Sequence, residues 1–461
     1  MTLLGAILDR LSETGPLPDR AKEVALLHLA DAVGVGHAAA GSAIGAPWRR
    51  HGQAMATGGA ASVFGQQQGA RPADAALING GLIHSLEYDD THTGSIVHGS
   101  AVLAAAALAA GEATGASGAA VLRSYALWYE VMIRLGLAAA GGFQAQGFQF
   151  TSVGGALCAA GVVAQLRGLD RAGQMAAVGI ALSQASGVFE FLTNGSTVKS
   201  MHPGWAAHAG IIAADLAAAG LTGPETAIEG RFGLFRIFAD DAAATTRFEA
   251  MLADLGQVWH LEQAAFKFHP CCHYLHPFVE AMGLLADGIP NPDEVAFIEF
   301  GVPQGAAAII CEPWQEKCRA VGHAARWSLP ITVAMRLVDG AITLQSFERP
   351  AGPEVLALAT KSRWVPLENA RFPARFEALI RVGLQGGRVL EQRIDDVYGN
   401  ASRPAARSDI AAKFDANLAQ VANAADADAL HHALMSVSMA DDLGGVSRSI
   451  RAIGGKLHDG N

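Results

Sequence analysis

Apolar residues recur at three- and four-residue intervals through most of the first 262 residues of this chain. That spacing predicts amphipathic helices over residues 20–40, 74–86, 118–140, 154–166 and 206–219. Hydrophobic residues make up 51% of the chain but aromatic residues only 7%, and 53 residues are Gly, so most of the apolar mass is small. Small side chains let helices approach closely, and this part of the chain is therefore expected to be a tightly packed helical domain.

The pattern changes after residue 292. Residues 294–302 alternate with period two and are rich in Val, Ile and Phe, which predicts a half-buried strand. Segments 378–382 and 388–394 flank Gln385-Gly386-Gly387 and predict a hairpin. Between these strands, residues 324–338 have the spacing of a helix.

Helical spacing returns after Pro404, over residues 410–421 and 427–435. A chain of 461 residues exceeds one ordinary core, and the simplest layout joins its tail to the first helices. We therefore predict a mainly α protein. Its large helical domain is built from both chain ends, residues 1–264 and 398–461, and a smaller α/β lid domain, residues 265–397, is inserted between them.

Charge and composition restrict the class of partner. The net charge of −10 disfavours nucleic acid and anionic membrane surfaces as partners. The start of the chain lacks a basic segment followed by an apolar run and a cleavage site, and the Ala-rich stretch at 101–110 is too short to span a bilayer. The five cysteines include no Cys-x-x-Cys pair, so a disulfide framework is not expected. We expect a soluble, cytoplasmic protein with no membrane partner.

The segment HSLEYDDTH at 84–92 concentrates ionisable groups in a chain that is only 16% charged. Three carboxylates so close together raise one another's pKa values, which suits a proton donor or acceptor. Glu87, Asp90 and Thr91 are candidates here, with His98 just downstream. The alternative is a polar helix end in which Asp90 or Thr91 caps the next turn.

Two further segments carry candidate cations. In GSTVKSMHPGWAA at 195–207, Lys199 and His202 stand where a helix begins, an arrangement suited to a carboxylate; the alternative is a loop with a solvated lysine. KFHPCCHYLH at 267–276 places one lysine and three histidines within ten residues. No second ligand pair follows at zinc-finger spacing, so anion binding and acid–base chemistry are favoured over a metal. Lys317 either reaches the same cleft or lies in a surface turn.

Taken in their order along the chain, the segments at 84–92, 195–207 and 267–276 resemble the MmgE/PrpD family. This family includes 2-methylcitrate dehydratase, cis-aconitate decarboxylase and iminodisuccinate epimerase. WSLP at 327–330 adds to the resemblance. The resemblance implies a helical domain with an inserted α/β lid, a cleft between them, a homodimer, and no metal or other cofactor. The family's pocket corresponds here to Glu87, Thr91, His98, Lys199 and Lys267.

Two positions depart from the family pattern. Gln149 stands where many members have a histidine, and Cys272 stands where the decarboxylase branch carries one. A glutamine can hold a substrate by hydrogen bonds but cannot exchange a proton near neutral pH. Dehydration, decarboxylation and epimerisation therefore stay open.

We expect a cofactor-independent lyase, of dehydratase or decarboxylase type, that removes a proton next to a carboxylate of a small di- or tricarboxylate. The expected catalytic residues are His98, Lys199, Lys267 and His269. The expected substrate-binding residues are Glu87, Asp90, Thr91, Gln149, His202, Cys272 and Lys317. Two alternatives remain: an epimerase or isomerase of a dicarboxylate such as iminodisuccinate, and an inactive homologue that only binds carboxylates.

Overall fold

The structure is a computed structural model that describes residues 2–456. Its α-helices are α1 (Leu3–Glu13), α2 (Asp19–Gly41), α3 (Ala46–Met55), α4 (Pro72–Ser85), α5 (Gly99–Thr114), α6 (Gly118–Ala139), α7 (Gly142–Ala145), α8 (Phe150–Leu166), α9 (Arg171–Leu182), α10 (Met201–Ala218), α11 (Leu234–Phe238), α12 (Ala243–Met251), α13 (His276–Leu285), α14 (Gln304–Ile310), α15 (Trp314–Lys317), α16 (Leu329–Val338), α17 (Pro353–Thr360), α18 (Arg407–Leu418), α19 (Ala424–Met435) and α20 (Gly444–Lys456). Its strands are β1 (Val295–Val302), β2 (Ser362–Pro366), β3 (Ala378–Leu384) and β4 (Val389–Ile394).

One hydrophobic core joins the two ends of the chain. It draws buried residues from Leu3 to Ala264 and again from Phe414 to Ile453. At its centre α10 packs against α4 and α8, and α5 lies beside them. The helices approach closely because glycines face one another: a Cβ on Gly80 of α4 would lie 2.7 Å from the Cα of Gly204 in α10. The abundance of small residues in the sequence therefore has a direct packing role.

Helix α2 is long and apolar enough to cross a membrane by length and composition. In its most apolar stretch, 89% of the residues are buried inside the protein, where α2 packs against α4, α6 and α18. A helix that is apolar on all sides is typical of the interior of a large core. This helix corresponds to the one predicted over residues 20–40.

A second hydrophobic core lies in the inserted α/β unit and runs from Cys271 to Ile394. Its four-stranded sheet has the order β2-β1-β3-β4, with β1 parallel to β2 and antiparallel to β3. Helix α13 packs against β3, β4 and α16. The predicted fold class, mainly α with an inserted α/β unit, is confirmed, while the numbered domain boundaries stay a prediction.

Two details of the inserted unit differ from the sequence prediction. Strand β2 was not predicted; it pairs with β1 across some sixty residues of sequence, Ile298 lying opposite Ser362. The predicted helix at 324–338 is split into a 3₁₀ helix, Gly322–Trp327, and α16. The break occurs because the Ser328 side chain caps α16 by accepting a hydrogen bond from the backbone N–H of Ile331.

Candidate active site

A cavity of about 100 Å³ lies between the helical domain and the inserted unit. The helical domain contributes residues from the acidic segment, from the start of α8 and from the loop before α10, and the inserted unit contributes residues around Cys272 and Trp327. The residues that line it are Glu87, Thr91, Thr93, Ile96, His98, Gln144, Gln149, Phe189, Phe191, Leu192, Lys199, Lys267, Cys272, His273, Tyr274, Ile309, Trp327 and Phe376.

Glu87 is held by both candidate lysines. Lys199 Nζ donates to Glu87 Oε2 at 2.5 Å, and Lys267 Nζ donates to the backbone oxygen of Glu87 at 3.1 Å. Glu87 lies just past the end of α4 with φ +54°, a left-handed conformation that is uncommon for a residue with a Cβ. These contacts fix an otherwise unfavourable backbone geometry and bring the two lysines to one point of the cavity.

Two acidic side chains of this segment, Glu87 and Asp89, are ionised. Burial would raise the pKa of Glu87, but Lys199 and the neighbouring histidine His84 outweigh it and hold that pKa below its usual range. Burial acts on Asp89 in the same direction, and the pKa of Asp89 is likewise held below its usual range by His84, whose Nδ1 lies 2.8 Å from Asp89 Oδ2. Buried carboxylates remain charged where a cation and a hydrogen bond stabilise them.

His98 lies just before α5, and its orientation is fixed by its neighbours. Its Nδ1 lies 2.9 Å from the backbone oxygen of Asp90 and 3.1 Å from Thr91 Oγ1. A carbonyl oxygen only accepts hydrogen bonds, so we assign the ring proton to Nδ1. Nε2 has no hydrogen-bond partner among residues 2–456 and is the ring nitrogen left to face the cavity.

The imidazole of His98 is neutral. Burial and the nearby Lys267 lower its pKa well below the ordinary value, and the carboxylate of Asp89 only partly opposes them. A neutral imidazole with an uncommitted Nε2 carries a lone pair that can accept a proton. His98 therefore has the protonation state of a general base.

Gln149 links two histidines behind the cavity. Its Oε1 lies 2.5 Å from Nδ1 of His202, and its Nε2 makes a long 3.5 Å contact with Nε2 of His84. Burial lowers the pKa of His202 to about 4, so that ring is neutral and donates to the amide oxygen. The amide thus orients both rings by hydrogen bonds without itself exchanging a proton.

His273 is a cavity residue that the sequence analysis did not select. It is buried in a short 3₁₀ helix, His273–Leu275, and neither ring nitrogen has a hydrogen-bond partner among the described residues. Burial and Lys267 lower its pKa well below the ordinary value. Burying an imidazole without a hydrogen-bond partner costs free energy unless a bound ligand supplies that partner. The sequence offered only its place in the 267–276 segment, which also holds two other histidines.

The structure brings seven of the eleven predicted residues to the cavity and places four outside its lining, and the predicted roles of all eleven stay predictions. His269 packs its ring edge-on to His276, with centroids 5.1 Å apart, inside the inserted unit. Lys317 Nζ donates to the backbone oxygens of Ile309 and Trp327, so it supports the cavity wall from behind. Internal hydrogen bonds therefore occupy Lys317, while His269 lies outside the cavity lining in a ring contact and its Nδ1 has no hydrogen-bond partner among the described residues.

The other two lie directly behind the lining residues. His202 contacts the cavity only through Gln149, as described above. Asp90 Oδ2 accepts hydrogen bonds from Ser100 Oγ and Tyr129 OH, and burial raises its pKa to about 6. Asp90 contributes its backbone oxygen to the site, because that atom fixes His98.

His84, Asp89 and His98 could offer ligand atoms to a metal ion, since these atoms lie within 4.8 Å of one another. Nδ1 of His84 is engaged with the Asp89 carboxylate and Nδ1 of His98 with a backbone oxygen. A ring nitrogen that carries a proton cannot ligate a metal. As arranged, His84 and Asp89 form a hydrogen-bonded pair, and His98 Nδ1 lies 3.8 Å from Asp89 Oδ2, beyond hydrogen-bond distance.

Sequence comparison places this chain among known proteins. Sequence models of the MmgE/PrpD N-terminal and C-terminal domains match residues 12–247 and 269–436. The chain belongs to the MmgE/PrpD family. It is 28% identical over 321 residues to a cis-aconitate decarboxylase of Aspergillus terreus, covering 66% of this chain and 65% of the relative, just under two thirds of its length. The human and mouse cis-aconitate decarboxylases are 29% and 26% identical, covering 76% and 85% of this chain and 73% and 81% of the relatives.

Gln149 and Cys272, which the resemblance marked as departures, both line the cavity of this MmgE/PrpD protein. Burial raises the pKa of the Cys272 thiol, so it is a neutral group here. The two positions thus contribute no positive charge, and the imidazoles that line the cavity are His98 and His273.

Proposed function

We propose that this MmgE/PrpD protein is a cofactor-independent lyase that removes a proton next to a carboxylate of a small polycarboxylate. The observation that carries the proposal is the geometry of His98. Its Nδ1 is committed to the Asp90 carbonyl, its neutral Nε2 faces the cavity, and Lys199 and Lys267 lie at the same cavity. A base beside two cations is the arrangement that carbanion chemistry next to a carboxylate requires.

The lysines supply the anion site. Lys267 Nζ donates one hydrogen bond to the backbone oxygen of Glu87, so two further N–H donors of the ammonium group remain for a substrate carboxylate. Lys199 is neutralised by Glu87 in the free protein, so a second carboxylate competes with Glu87 for it. As the proton leaves, negative charge moves onto the carboxylate oxygens, where these fixed ammonium groups stabilise it more strongly than in the ground state.

The bond changes of the proposed reaction are simple. His98 Nε2 takes the proton from the carbon next to the carboxylate, and the electron pair forms a double bond as hydroxide departs from the neighbouring carbon. The hydroxide takes that proton from the His98 imidazolium and leaves as water, which returns His98 to its neutral form. The neutral His273 donates a hydrogen bond to that leaving group. For a decarboxylation, the bond between carbon and one carboxylate breaks instead, carbon dioxide departs, and the electron pair left on carbon takes a proton from solvent water. The names of the fungal and mammalian relatives support the lyase class.

The test is turnover on a panel of citrate, 2-methylcitrate, cis-aconitate and iminodisuccinate. The expected result is loss of water or of carbon dioxide. Loss of water is measured as new unsaturation, and decarboxylation as released carbon dioxide. The same preparation carrying His98→Gln serves as the control and is expected to be inactive. Binding of these compounds without any chemical change would contradict the proposal and favour a carboxylate-binding protein.

A second candidate, an epimerase of a dicarboxylate, is favoured by one observation. Two neutral imidazoles, His98 from the helical domain and His273 from the inserted unit, line the same cavity. Two acid–base groups allow a proton to leave on one face and return on the other. Reaction in D2O separates the candidates: deuterium at the carbon next to the carboxylate, with all carbons and oxygens retained, identifies the epimerase.

A further inference from the structure

The ionised side chains on the cavity wall carry little net positive charge. Among the lining residues of the described chain, Lys199 and Lys267 are the cations and Glu87 is the anion. The pKa of Glu87 is held below its usual range, so its charge is permanent near neutral pH. Two positive groups and one negative group leave a single net positive charge to meet the substrate.

The other polar lining groups are neutral. Burial lowers the pKa values of His98 and His273 well below the ordinary value, so neither imidazole is cationic in the free site. Burial raises the pKa of the Cys272 thiol, and Gln149 has no charge in any state. None of these four groups offers a full positive charge to an additional carboxylate.

The nearest other cations are turned away and occupied. Lys317 Nζ donates to the backbone oxygens of Ile309 and Trp327. Arg326 Nη1 donates to the backbone oxygens of Leu86 and Pro270. Both of these side chains hold the cavity wall together, and neither is a lining residue. His84 contacts Glu87 and Gln149, but its Nδ1 is engaged with the Asp89 carboxylate and it is not a lining residue either.

Most of the remaining wall is apolar. Seven large apolar side chains line the cavity: Ile96, Phe189, Phe191, Leu192, Ile309, Trp327 and Phe376. Trp327 also faces Lys199, with Nζ 5.2 Å from the ring centroid, so the apolar surface begins directly beside the carboxylate site. A third carboxylate placed against these rings would lose its hydration without gaining an ionic partner.

We infer that the substrate is a dicarboxylate that carries an apolar alkyl or aryl group where a tricarboxylate has its third carboxylate. The inference rests on the proposed function and narrows its substrate class. The two carboxylates lie against Lys267 and Lys199, the reacting carbon faces His98, and the apolar group lies against the phenylalanines. Hydrophobic burial then stabilises the part of the substrate that no cation can reach.

Matched compounds test this directly. Citrate is malate with a carboxymethyl group at carbon 2, and 2-benzylmalate and 2-isobutylmalate replace that one group with an apolar one. We expect kcat/KM to be at least about tenfold higher for the two apolar analogues than for citrate. The same difference is expected between 2-benzylmaleate and cis-aconitate. Equal or better turnover of citrate or cis-aconitate overturns the inference and leaves the lyase proposal intact.

Calorimetry separates a failure of the inference from a failure of the proposed function. If no compound is turned over, the lyase proposal fails, and relative binding decides the substrate class. Tighter binding of 2-benzylmalate than of citrate supports the inference even then. Tighter binding of citrate, or no binding of either compound, overturns it.

A charge-adding variant supplies an independent test. Phe189 lines the cavity and is partly exposed, so Phe189→Arg places a third cation there without burying it fully. The ratio of kcat/KM for 2-benzylmalate over citrate is expected to fall about tenfold or more in this variant. Phe232→Arg is the matched control, because Phe232 is 70% exposed and does not line the cavity. An unchanged ratio in Phe189→Arg, or an equal fall in Phe232→Arg, contradicts the inference.

Discussion

Lys413 donates a hydrogen bond of 2.9 Å from Nζ to the backbone oxygen of Tyr88, a residue 325 positions earlier in the chain. The same ammonium group lies 2.7 Å from Asp31 Oδ1 and 4.1 Å from the centre of the Tyr88 ring, and all of these groups are buried. Tyr88 stands between Glu87 and Asp89. Helix α18 therefore holds in place the acidic segment that forms one wall of the cavity.

Replacing Lys413 with Met should destabilise the protein by about 3–5 kcal/mol, because it leaves Asp31 buried without a cation. Without the lysine, burial keeps the pKa of Asp31 above its unfolded value, so the folded state prefers the protonated acid. The protonated Asp31 therefore contributes to stability at low pH, and this contribution is lost as the pH rises. The destabilisation of the variant should be larger at about pH 8 than at about pH 5. Urea denaturation at the two pH values measures it.

The double variant Asp31→Asn/Lys413→Met is the control for this prediction. It removes both charges, so it should recover most of the lost stability and should show little of the difference in stability between about pH 5 and about pH 8. A single variant as stable as the parent protein at both pH values would contradict the structural role of this pair.

Variants of Lys199 and Glu87 distinguish an effect on stability from an effect on catalysis. Lys199→Met should abolish turnover and also lower stability by about 3–5 kcal/mol, since Glu87 is only 2% exposed and would lose its partner. Lys199→Met/Glu87→Gln should regain stability and remain inactive. Thermal unfolding and turnover, measured on the same preparations, give the two readouts. Activity in either variant would remove Lys199 from the anion site.

The sequence predicted the fold best where the signal is local. The β3–β4 hairpin is confirmed, since Gly387 adopts φ +82° in the turn that the glycine pair indicated. Strand β2 escaped prediction because only its pairing with β1, far away in the sequence, makes that short segment a strand. The split before α16 depends on the Ser328 cap, a single side-chain contact within an otherwise helical pattern.

The site was predicted less completely, for a physical reason. Residues 267–272 form neither helix nor strand, so no periodicity tells which side each side chain faces. Lys267 turns toward Glu87, while His269 turns into the inserted unit against His276. His269 was expected to be catalytic and His273 was not, although only the second lines the cavity. The difference depends on tertiary contacts such as the hydrogen bond from Cys272 N–H to the Arg326 oxygen.

A pair of histidine variants tests which of the two predicted histidines is catalytic. His98→Gln should lower kcat by roughly 10²–10⁴-fold, because glutamine cannot accept the proton. His269→Gln should keep kcat within a few fold of the parent, since that ring lies outside the cavity. Steady-state kinetics, with far-ultraviolet circular dichroism to verify folding, decides between them. Loss of kcat in His269→Gln, with full activity in His98→Gln, would reverse the assignment.

The pH dependence of turnover follows from the electrostatics of His98. Burial and Lys267 lower the pKa of His98 well below 6.5 in the free protein, and only the unprotonated ring can act as the base. As the pH falls through 6.5, His98 in the free protein stays unprotonated, so kcat/KM should stay level there and decline only at lower pH.

A bound carboxylate places negative charge beside the His98 ring and raises the pKa of His98 in the complex. The acid limb of kcat should therefore lie at higher pH than the acid limb of kcat/KM. Full pH–rate profiles measure both limbs, with buffers of constant ionic strength to keep screening fixed. A kcat/KM that halves near pH 6.5, or a kcat limb at lower pH than the kcat/KM limb, would show that a different group accepts the proton.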